Sequence, residues 1–147
     1  MARTSPKKVT FSSARWSRRI ETILGGIPDA ADNLADWKAG VLSGRLSLWS
    51  VELDGKAQGA LVWDVERTAT GHGLALLGLG CSAASGASVA VSALTAFEGM
   101  ARLTNACFLA FTTRRPGLRR LMQRRGFKTT KTEMIGSGHR WEMKRIV

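Results

Sequence analysis

The chain has 147 residues, 44% of them hydrophobic, and carries 22 Lys and Arg against 11 Asp and Glu, for a net charge of +11. This length predicts a single domain, residues 1–147, whose core is large enough to need no disulfide. No apolar run reaches the roughly 20 residues that cross a bilayer, and none follows the basic start. We therefore expect no membrane span, no signal peptide and a cytoplasmic location.

The basic charge is concentrated at the two ends of the chain. Residues 1–19 have a net charge of +6 and residues 114–147 of +9, whereas residues 20–66 have −5. We interpret residues 1–8 as a basic N-terminal arm. An acidic protein or nucleic-acid surface is the partner that this charge predicts, bound through residues 1–19 and an arginine ridge at 114–125. A solvated surface that only aids solubility is the alternative.

The first half of the chain predicts a strand, two helices and a hairpin. The strand covers residues 9–11. The first helix ends at Leu24, and the second covers residues 29–39. The hairpin strands cover residues 46–53 and 57–66. Ser12 or Ser13 is the expected cap of the first helix, and Gly25-Gly26 ends it. Asp54-Gly55 predicts the tight turn of the hairpin.

The stretch from Gly73 to Phe127 predicts a strand–helix–strand crossover. Its apolar run 73–79 is too short for a helix and lacks polar alternation, which is typical of a buried strand. A helix with apolar residues at three- and four-residue steps runs from 88 to 103, and Asn105 can stop it. A second apolar run, 106–111, then gives a parallel strand. A basic helix follows, and a final hairpin with strands at residues 128–135 and 140–146 completes the order of elements.

This element order, with Arg115-Pro-Gly-Leu-Arg-Arg-Leu-Met-Gln-Arg-Arg-Gly-Phe127 ahead of a terminal hairpin, resembles the GNAT superfamily of acyl-CoA-dependent N-acetyltransferases. The resemblance implies an α/β (α+β) fold: a mixed, mostly antiparallel central sheet flanked by helices, with one parallel crossover. It also implies that the fourth and fifth strands splay apart and that the pantetheine of acetyl-CoA lies between them. The loop before the crossover helix would wrap the pyrophosphate.

The expected acetyl-CoA site combines a small-residue loop with two arginines. Small residues let backbone N–H groups approach an anion at a helix start; here they are Ser85, Gly86, Ala87 and Ser88. Arg114 and Arg115 follow the fifth strand, where the resemblance lets them reach the phosphates. A tight strand-to-helix connection and a solvated arginine pair are the alternative interpretation.

The chain departs from the family pattern at several functional positions. Ala83 and Ser88 do not fit the two ends of the family's cofactor loop. Met122 stands where the family often has a tyrosine general acid, and the chain contains no tyrosine. Arg115 stands where an asparagine is common. These departures predict degenerate cofactor and catalytic motifs.

The transfer of an acyl group to an amine needs a base that removes a proton from the ammonium form. Asp64, Glu66 and His72 are the nearest candidates, and we predict Glu66 and His72 as the catalytic residues. The histidines and cysteines show no metal-ligand spacing, so no metal is expected. We expect Cys81 and Cys107 to be reduced core residues near each other on adjacent strands, and the five tryptophans to pack in the core.

Three functions are compatible with these residues. The first is a GNAT-like N-acyltransferase that uses acetyl-CoA and an unidentified acceptor. The second is a non-catalytic structural component, because the chain is also similar to degenerate GNAT-like proteins of phages. This hypothesis implies a location in a virion or other assembly, with other virion proteins as partners. The third is a basic nucleic-acid-binding module, which depends on charge alone.

Overall fold

The computed structural model describes residues 9–82, 86–136 and 138–147, with the backbone alone for 86–88. Over these residues the chain forms seven strands and four α-helices. The strands are β1 Val9–Ser13, β2 Ser47–Leu53, β3 Lys56–Thr68, β4 Gly71–Cys81, β5 Phe108–Thr113, β6 Lys128–Ile135 and β7 Gly138–Ile146. The helices are α1 Arg18–Gly25, α2 Leu34–Leu42, α3 Gly86–Leu103 and α4 Pro116–Arg124.

All seven strands belong to one sheet, in the order β1-β2-β3-β4-β5-β7-β6. Among the described strands, β4 and β5 form the one parallel pair, and the other neighbours are antiparallel. The predicted element order and the predicted mixed, mostly antiparallel sheet are therefore confirmed. The basic arm at residues 1–8 lies outside the described residues.

Helix α1 begins later than the sequence predicts. Ser12 and Ser13 do not cap it, because both extend β1 and pair with Ser50 and Trp49 of β2. The observed cap is Ser17, whose side chain accepts a hydrogen bond from the backbone N–H of Ile20 at 3.2 Å. Continued strand pairing satisfies the backbone at the two earlier serines, so the helix starts at the next available cap.

The segment predicted as a helix over residues 29–39 is divided. Pro28–Ala30 forms a single 3-10 turn, and α2 then covers Leu34–Leu42. Asp29, expected near the positive end of the predicted helix, is instead buried, with 4% of its surface exposed. Its carboxylate is bound to residues at the end of β5, and this tertiary contact outweighs the local helix preference.

The predicted hairpin between β2 and β3 is confirmed. Asp54 and Gly55 form its turn with φ values of 51° and 81°. Both lie in the left-handed region, which Gly adopts freely and Asp tolerates. Asn105, with φ of 57°, follows α3 in the same conformation and ends it as expected.

Two apolar layers cover the two faces of the sheet. The larger layer packs α3 and α4 against the sheet through residues such as Leu94, Phe97 and Met122. The smaller layer packs α1 and α2 against the other face through Ile23, Leu24 and Trp37. As expected, every tryptophan contributes to one of these layers: Trp49, Trp63 and Trp141 to the larger, Trp16 and Trp37 to the smaller.

The expectation for the two cysteines is wrong in its geometry. Cys81 ends β4, whereas the backbone N–H of Cys107 donates to the carbonyl of His72 near the start of β4. With about 3.3 Å per strand residue, the cysteines lie at opposite ends of a strand. Both are free, and Cys107 is exposed rather than in the core.

No helix in the described part of the chain is long and apolar enough to cross a membrane.

Candidate functional site

The parallel strands β4 and β5 pair over only four residues. The paired residues run from Gly73–Phe108 to Leu76–Phe111. Beyond them β4 continues to Cys81 and β5 to Thr113. The backbone edge of β4 that faces β5 therefore has no strand partner from Leu77 onward. We call this space the β4–β5 gap.

A bulge in β4 lies at the start of the gap. The register between β3 and β4 shifts between Val62 and Trp63, which leaves Leu77 as the extra residue of β4. Gly78 follows, and a Cβ there would come within 2.7 Å of the Trp37 ring. Glycine at this position thus allows α2 to pack closely against β4 beside the gap.

An ionic bridge spans the gap. The guanidinium of Arg115 donates from Nη2 to the carbonyl of Leu79 on β4 at 2.7 Å and from Nε to Asp29 at 3.0 Å. Thr113 Oγ1 donates to the same carboxylate at 3.0 Å, and so does the backbone N–H of Arg114. Asp29 and Thr113 are both buried. We call this network the Asp29–Arg115 bridge.

The electrostatics of Cys81 agree with this placement of Arg115. Burial raises the pKa of the Cys81 thiol, and the charge of Arg115 acts in the opposite direction. The guanidinium is therefore close enough to influence the end of β4.

Two adjoining cavities lie on the sheet face that carries α1 and α2. They have volumes of about 230 and 280 Å³ and share Leu77, Thr112 and Glu142. Together they form a groove across β4, β5 and β7, which we call the sheet groove. The first cavity is also lined by Asp29, Asn33, Trp37, Arg114 and Arg140, and the second by residues that include Glu66, Ala75, Ala110, Thr130 and Lys144.

The charges along the sheet groove are unevenly distributed. Arg114 and Arg140 line the first cavity, Glu142 lies where the cavities meet, and Glu66 and Lys144 line the second. Lys144 Nζ lies 4.1 Å from the centre of the Phe108 ring, a cation–π distance. The two arginines thus lie in the first cavity, where buried Asp29 is bound within the Asp29–Arg115 bridge, and Glu66 lies in the second.

Arg140 is held on one side by Glu133. Its Nη2 donates to the Glu133 carboxylate, which also contacts Lys131 at 2.6 Å. The hydrogen bond from Lys131 and then that from Arg140 lower the pKa of Glu133, and Glu133 in turn raises the pKa of Lys131. Within the described residues, Nε of Arg140 is buried and has no hydrogen-bond partner.

The two predicted catalytic residues lie on opposite faces of the sheet. Glu66 is exposed and lines the sheet groove. His72 lines a separate cavity of about 290 Å³ with Trp63 and Met100, on the face that carries α3. His72 pairs with Arg67 and Glu66 with Gly73, so the alternation of strand side chains separates them. Asp64 lines neither cavity of the groove and accepts from the backbone N–H of Val65 at 2.8 Å.

Five of the six predicted acetyl-CoA residues lie among the described residues, at the start of α3 and just after β5. Ser85 lies outside the described residues, and Gly86, Ala87 and Ser88 form the backbone of the first turn of α3. Arg115 belongs to the Asp29–Arg115 bridge, and Arg114 lies 3.7 Å from exposed Asp32. The unpaired β4 edge and the nearby helix start fit a pantetheine arm, on condition that Arg115 releases the carbonyl of Leu79.

The predicted arginine ridge is narrower than expected. Arg119 packs over the Trp141 ring at 4.8 Å instead of facing solvent, while Arg120 and Arg124 are exposed. Arg125 donates to buried Glu98 at 2.8 Å, which ties α4 to α3. Two exposed arginines therefore remain for an external partner on this helix.

Sequence reasoning missed four residues of the site: Asp29, Thr113, Arg140 and Glu142. Period-two alternation in β7 could have identified two of them. Trp141 and Met143 are buried on one face, so Arg140 and Glu142 point to the other. Nothing local marks Asp29, whose partners lie more than 80 residues away.

Within the residues that the structure describes, no group of three His, Cys, Asp or Glu side chains is placed to hold a metal ion.

Solved structures of acetyltransferases share this architecture. An IAA acetyltransferase from Bacillus cereus superposes with a TM-score of 0.72 at 11% identity, covering 95% of this chain and 100% of that one. A GNAT family acetyltransferase from Elizabethkingia anophelis with acetyl-CoA bound gives 0.70 at 11% identity, covering 95% and 98%. An acetyltransferase from Bacillus subtilis in complex with CoA gives 0.72 at 11% identity, covering 95% and 99%.

The chain therefore has the GNAT fold, as its element order predicts. No protein-family model and no curated protein matches its sequence. At such low identity the shared architecture shows the fold alone, and the chemistry has to be argued from the residues of the site.

Proposed function

We propose that this protein is an acyl-CoA-dependent N-acyltransferase, with acetyl-CoA as the donor. The observation that carries the proposal is that the β4–β5 gap adjoins a groove containing a carboxylate, Glu142, in a fold that it shares with acetyl-CoA- and CoA-bound proteins. The groove supplies the space for an acceptor amine, and the gap supplies the space for the donor.

The donor would be held by the unpaired edge of β4 from Leu77 to Cys81 and by the backbone at the start of α3. Arg114 lines the sheet groove and Arg115 holds the carbonyl of Leu79, so we assign neither to the donor. Extended amides can pair with a free strand edge, and helix N-termini favour anionic phosphates. When bound, acetyl-CoA supplies a thioester whose acyl carbon bonds to the acceptor nitrogen as the carbon–sulfur bond breaks, with sulfur gaining a proton and nitrogen losing one.

Glu142 is the base that we propose for the acceptor ammonium. It lies where the two cavities meet, opposite Thr112 on β5 and next to the gap. Its carboxylate takes the proton that the ammonium must lose before the nitrogen can attack. Glu66 adds negative charge to the far part of the second cavity. His72 faces away from the groove, so we give it no role.

Solvent supplies the proton for the leaving sulfur in this proposal. Met122, at the position where the resemblance implies a tyrosine acid, is 2% exposed and packs in the larger apolar layer. A thioether cannot donate a proton. The reaction therefore depends on binding and on Glu142, and we expect a modest rate.

Calorimetric titration with acetyl-CoA, at low and high salt, tests the donor site. We expect saturable one-site binding that survives the higher salt, because backbone contacts in the gap are less screened than surface charges. Heat that disappears with salt would indicate only a cationic surface and would contradict the proposal.

Replacing Glu142 with Gln tests the base. We expect kcat for an amine panel to fall roughly 10²- to 10⁴-fold while the Kd for acetyl-CoA stays unchanged. Glu52→Gln on β2, which lines neither cavity of the groove, is the matched control and should keep full activity. An E142Q variant with unaltered kcat would remove Glu142 from the mechanism.

A second candidate function is a non-catalytic GNAT-fold component of a virion or another assembly. The Asp29–Arg115 bridge favours it, because a guanidinium already holds the carbonyl of Leu79 inside the gap. This candidate predicts no acetyl-CoA heat, and none after Arg115→Ala either. Acetyl-CoA binding that appears or strengthens in R115A would instead support the enzyme.

A further inference from the structure

We propose that the acceptor is an amino acid or a close analogue, an amine whose anionic group lies a few bonds away. Its anion would bind Arg114 and Arg140 in the first cavity of the sheet groove, and its ammonium would face Glu142, where the two cavities meet. The assignment of the ammonium end rests on the proposed function. The anion site stands on the arginines alone.

Two cations, Arg114 and Arg140, line the first cavity, and their ion-pair partners Asp32 and Glu133 are not part of its lining. Besides Glu142, the carboxylate lining this cavity is Asp29, which is buried. Asp29 already accepts from Thr113, from the backbone of Arg114 and from Arg115. Its negative charge is therefore balanced by Arg115 within the Asp29–Arg115 bridge, and the guanidinium groups of Arg114 and Arg140 remain to face the cavity.

The contacts of these arginines leave donors for a ligand. Arg114 Nη1 lies 3.7 Å from Asp32 and its Nη2 lies 3.5 Å from the carbonyl of Ile135, both at the outer limit of useful distance. Arg140 uses Nη2 on Glu133, while its buried Nε lacks a partner among the described residues. A buried donor without an acceptor is uncommon in folded proteins. A carboxylate between the arginines would accept from Nη1 of Arg140 and from the weakly engaged guanidinium of Arg114.

The opposite end of the groove has carboxylates available for an ammonium. Glu142 and Glu66 line the second cavity, where the cation is Lys144. Lys144 Nζ lies over the ring of Phe108, which gives it a contact of its own. The ammonium of a ligand would therefore meet Glu142, while Glu66 adds negative charge farther along the cavity and Lys144 already has a contact of its own.

Strand geometry sets the spacing between the two ends. Arg140 and Glu142 are two residues apart on β7 and share a face, which places their Cα atoms about 7 Å apart. Their side chains can approach groups that are closer still. This spacing suits an amine and an anion on the same or neighbouring carbons and favours amino acids over long diamines.

The first experiment compares matched pairs of probes, each standard L-amino acid and its carboxamide, in the presence of CoA. Binding is measured by ligand-observed NMR and then by calorimetry, without any transfer step. We expect at least one amino acid to bind roughly tenfold or more tightly than its amide, because the amide keeps the size but loses the charge-assisted hydrogen bonds. Amides that bind as well as the acids, or no amino acid binding, would overturn the inference.

Arg140→Met and Arg114→Met then locate the anion. Each variant should lose roughly tenfold in affinity for the best amino acid and leave the affinity for its amide unchanged. Arg120→Met, exposed on α4 outside the groove, is the control and should change neither. R140M loses its ion pair with Glu133 and could misfold, so R114M provides a second, independent test. If folded R114M and R140M both still bind the amino acid more tightly than its amide, the anion site is overturned.

The outcome also separates this inference from the proposed function. Amino acid binding without acetyl-CoA binding would support the anion site and reject the acyltransferase. Acetyl-CoA binding with transfer only to amines that lack an anion would support the acyltransferase and overturn the inference.

Discussion

The carboxylate of Asp29 joins the last residue of β5 and the two residues after it to the segment between α1 and α2. Thr113, Arg114 and Arg115 all donate to it, and 4% of Asp29 is exposed. A buried carboxylate with several charge-assisted donors stabilises the fold only while its partners remain. At the scale of single residues, Asp29 thus fixes where the end of β5 lies.

Replacing Asp29 with Asn should lower the free energy of unfolding by about 2 to 4 kcal/mol, because Arg115 loses its carboxylate and the amide cannot accept from every donor. Urea denaturation measures the change. Asp32→Asn is the matched control, since Asp32 is 74% exposed and lies 3.7 Å from Arg114. The control should stay within about 0.5 kcal/mol of the parent. Equal losses in both variants would show that the Asp29–Arg115 bridge contributes nothing specific.

The sequence could predict some site residues but not their partners. Arg114 and Arg115 are visible because they follow an apolar run, and Glu66 because it ends a strand. Asp29 is misread as a helix-start acid, since its partners come from the far end of the chain. Contacts across such separations leave no periodic signal, so the Asp29–Arg115 bridge could not be predicted.

At the scale of secondary-structure elements, β4 determines the site. The sequence predicts its buried core over residues 73–79, and the structure confirms a strand there that extends from Gly71 to Cys81. Its bulge was not predicted, because a bulge depends on the register with β3 and not on β4 alone. The apolar run could therefore predict the strand, while the end of its pairing with β5 required the whole sheet.

The glycine at position 78 provides a test of β4 packing. Gly78→Ala should destabilise the protein by about 1 to 3 kcal/mol, because the new methyl group would meet the Trp37 ring at 2.7 Å. Gly99→Ala in α3 is the matched control, since a Cβ there meets no atom within 4 Å. That helical position should gain up to about 1 kcal/mol. Thermal denaturation compares them, and a G78A variant as stable as G99A would contradict the packing described for β4.

At the scale of the whole molecule, the charge distribution leaves α4 and β6 as a basic region. Arg120, Arg124 and Lys128 are exposed there, and the net charge of the chain is +11. We propose that this region gives salt-sensitive binding to polyanions without sequence preference. Composition alone leads to this proposal, because net charge does not depend on the fold.

The affinity for a DNA duplex should fall with salt, and its dependence is measured as the slope of log affinity against log salt concentration. The double variant Arg120→Ser with Arg124→Ser should make this slope shallower by about two. Fluorescence anisotropy at several salt concentrations measures it. Lys56→Ser with Arg102→Ser removes two exposed cations elsewhere and serves as the control. Should the control reduce the slope equally, binding would reflect net charge and no particular surface.

The short pairing of β4 with β5 has a mechanical consequence. Strands β1 to β4 and strands β5 to β7 form two halves that meet in four residue pairs, from Gly73–Phe108 to Leu76–Phe111. At the open end, the donation from Arg115 to Leu79 reconnects them. A ligand that takes this carbonyl must break the hydrogen bond from Arg115, so its affinity is reduced by the energy of that bond. Binding of a ligand in the β4–β5 gap is therefore coupled to the contact between the two halves of the sheet, through the guanidinium of Arg115.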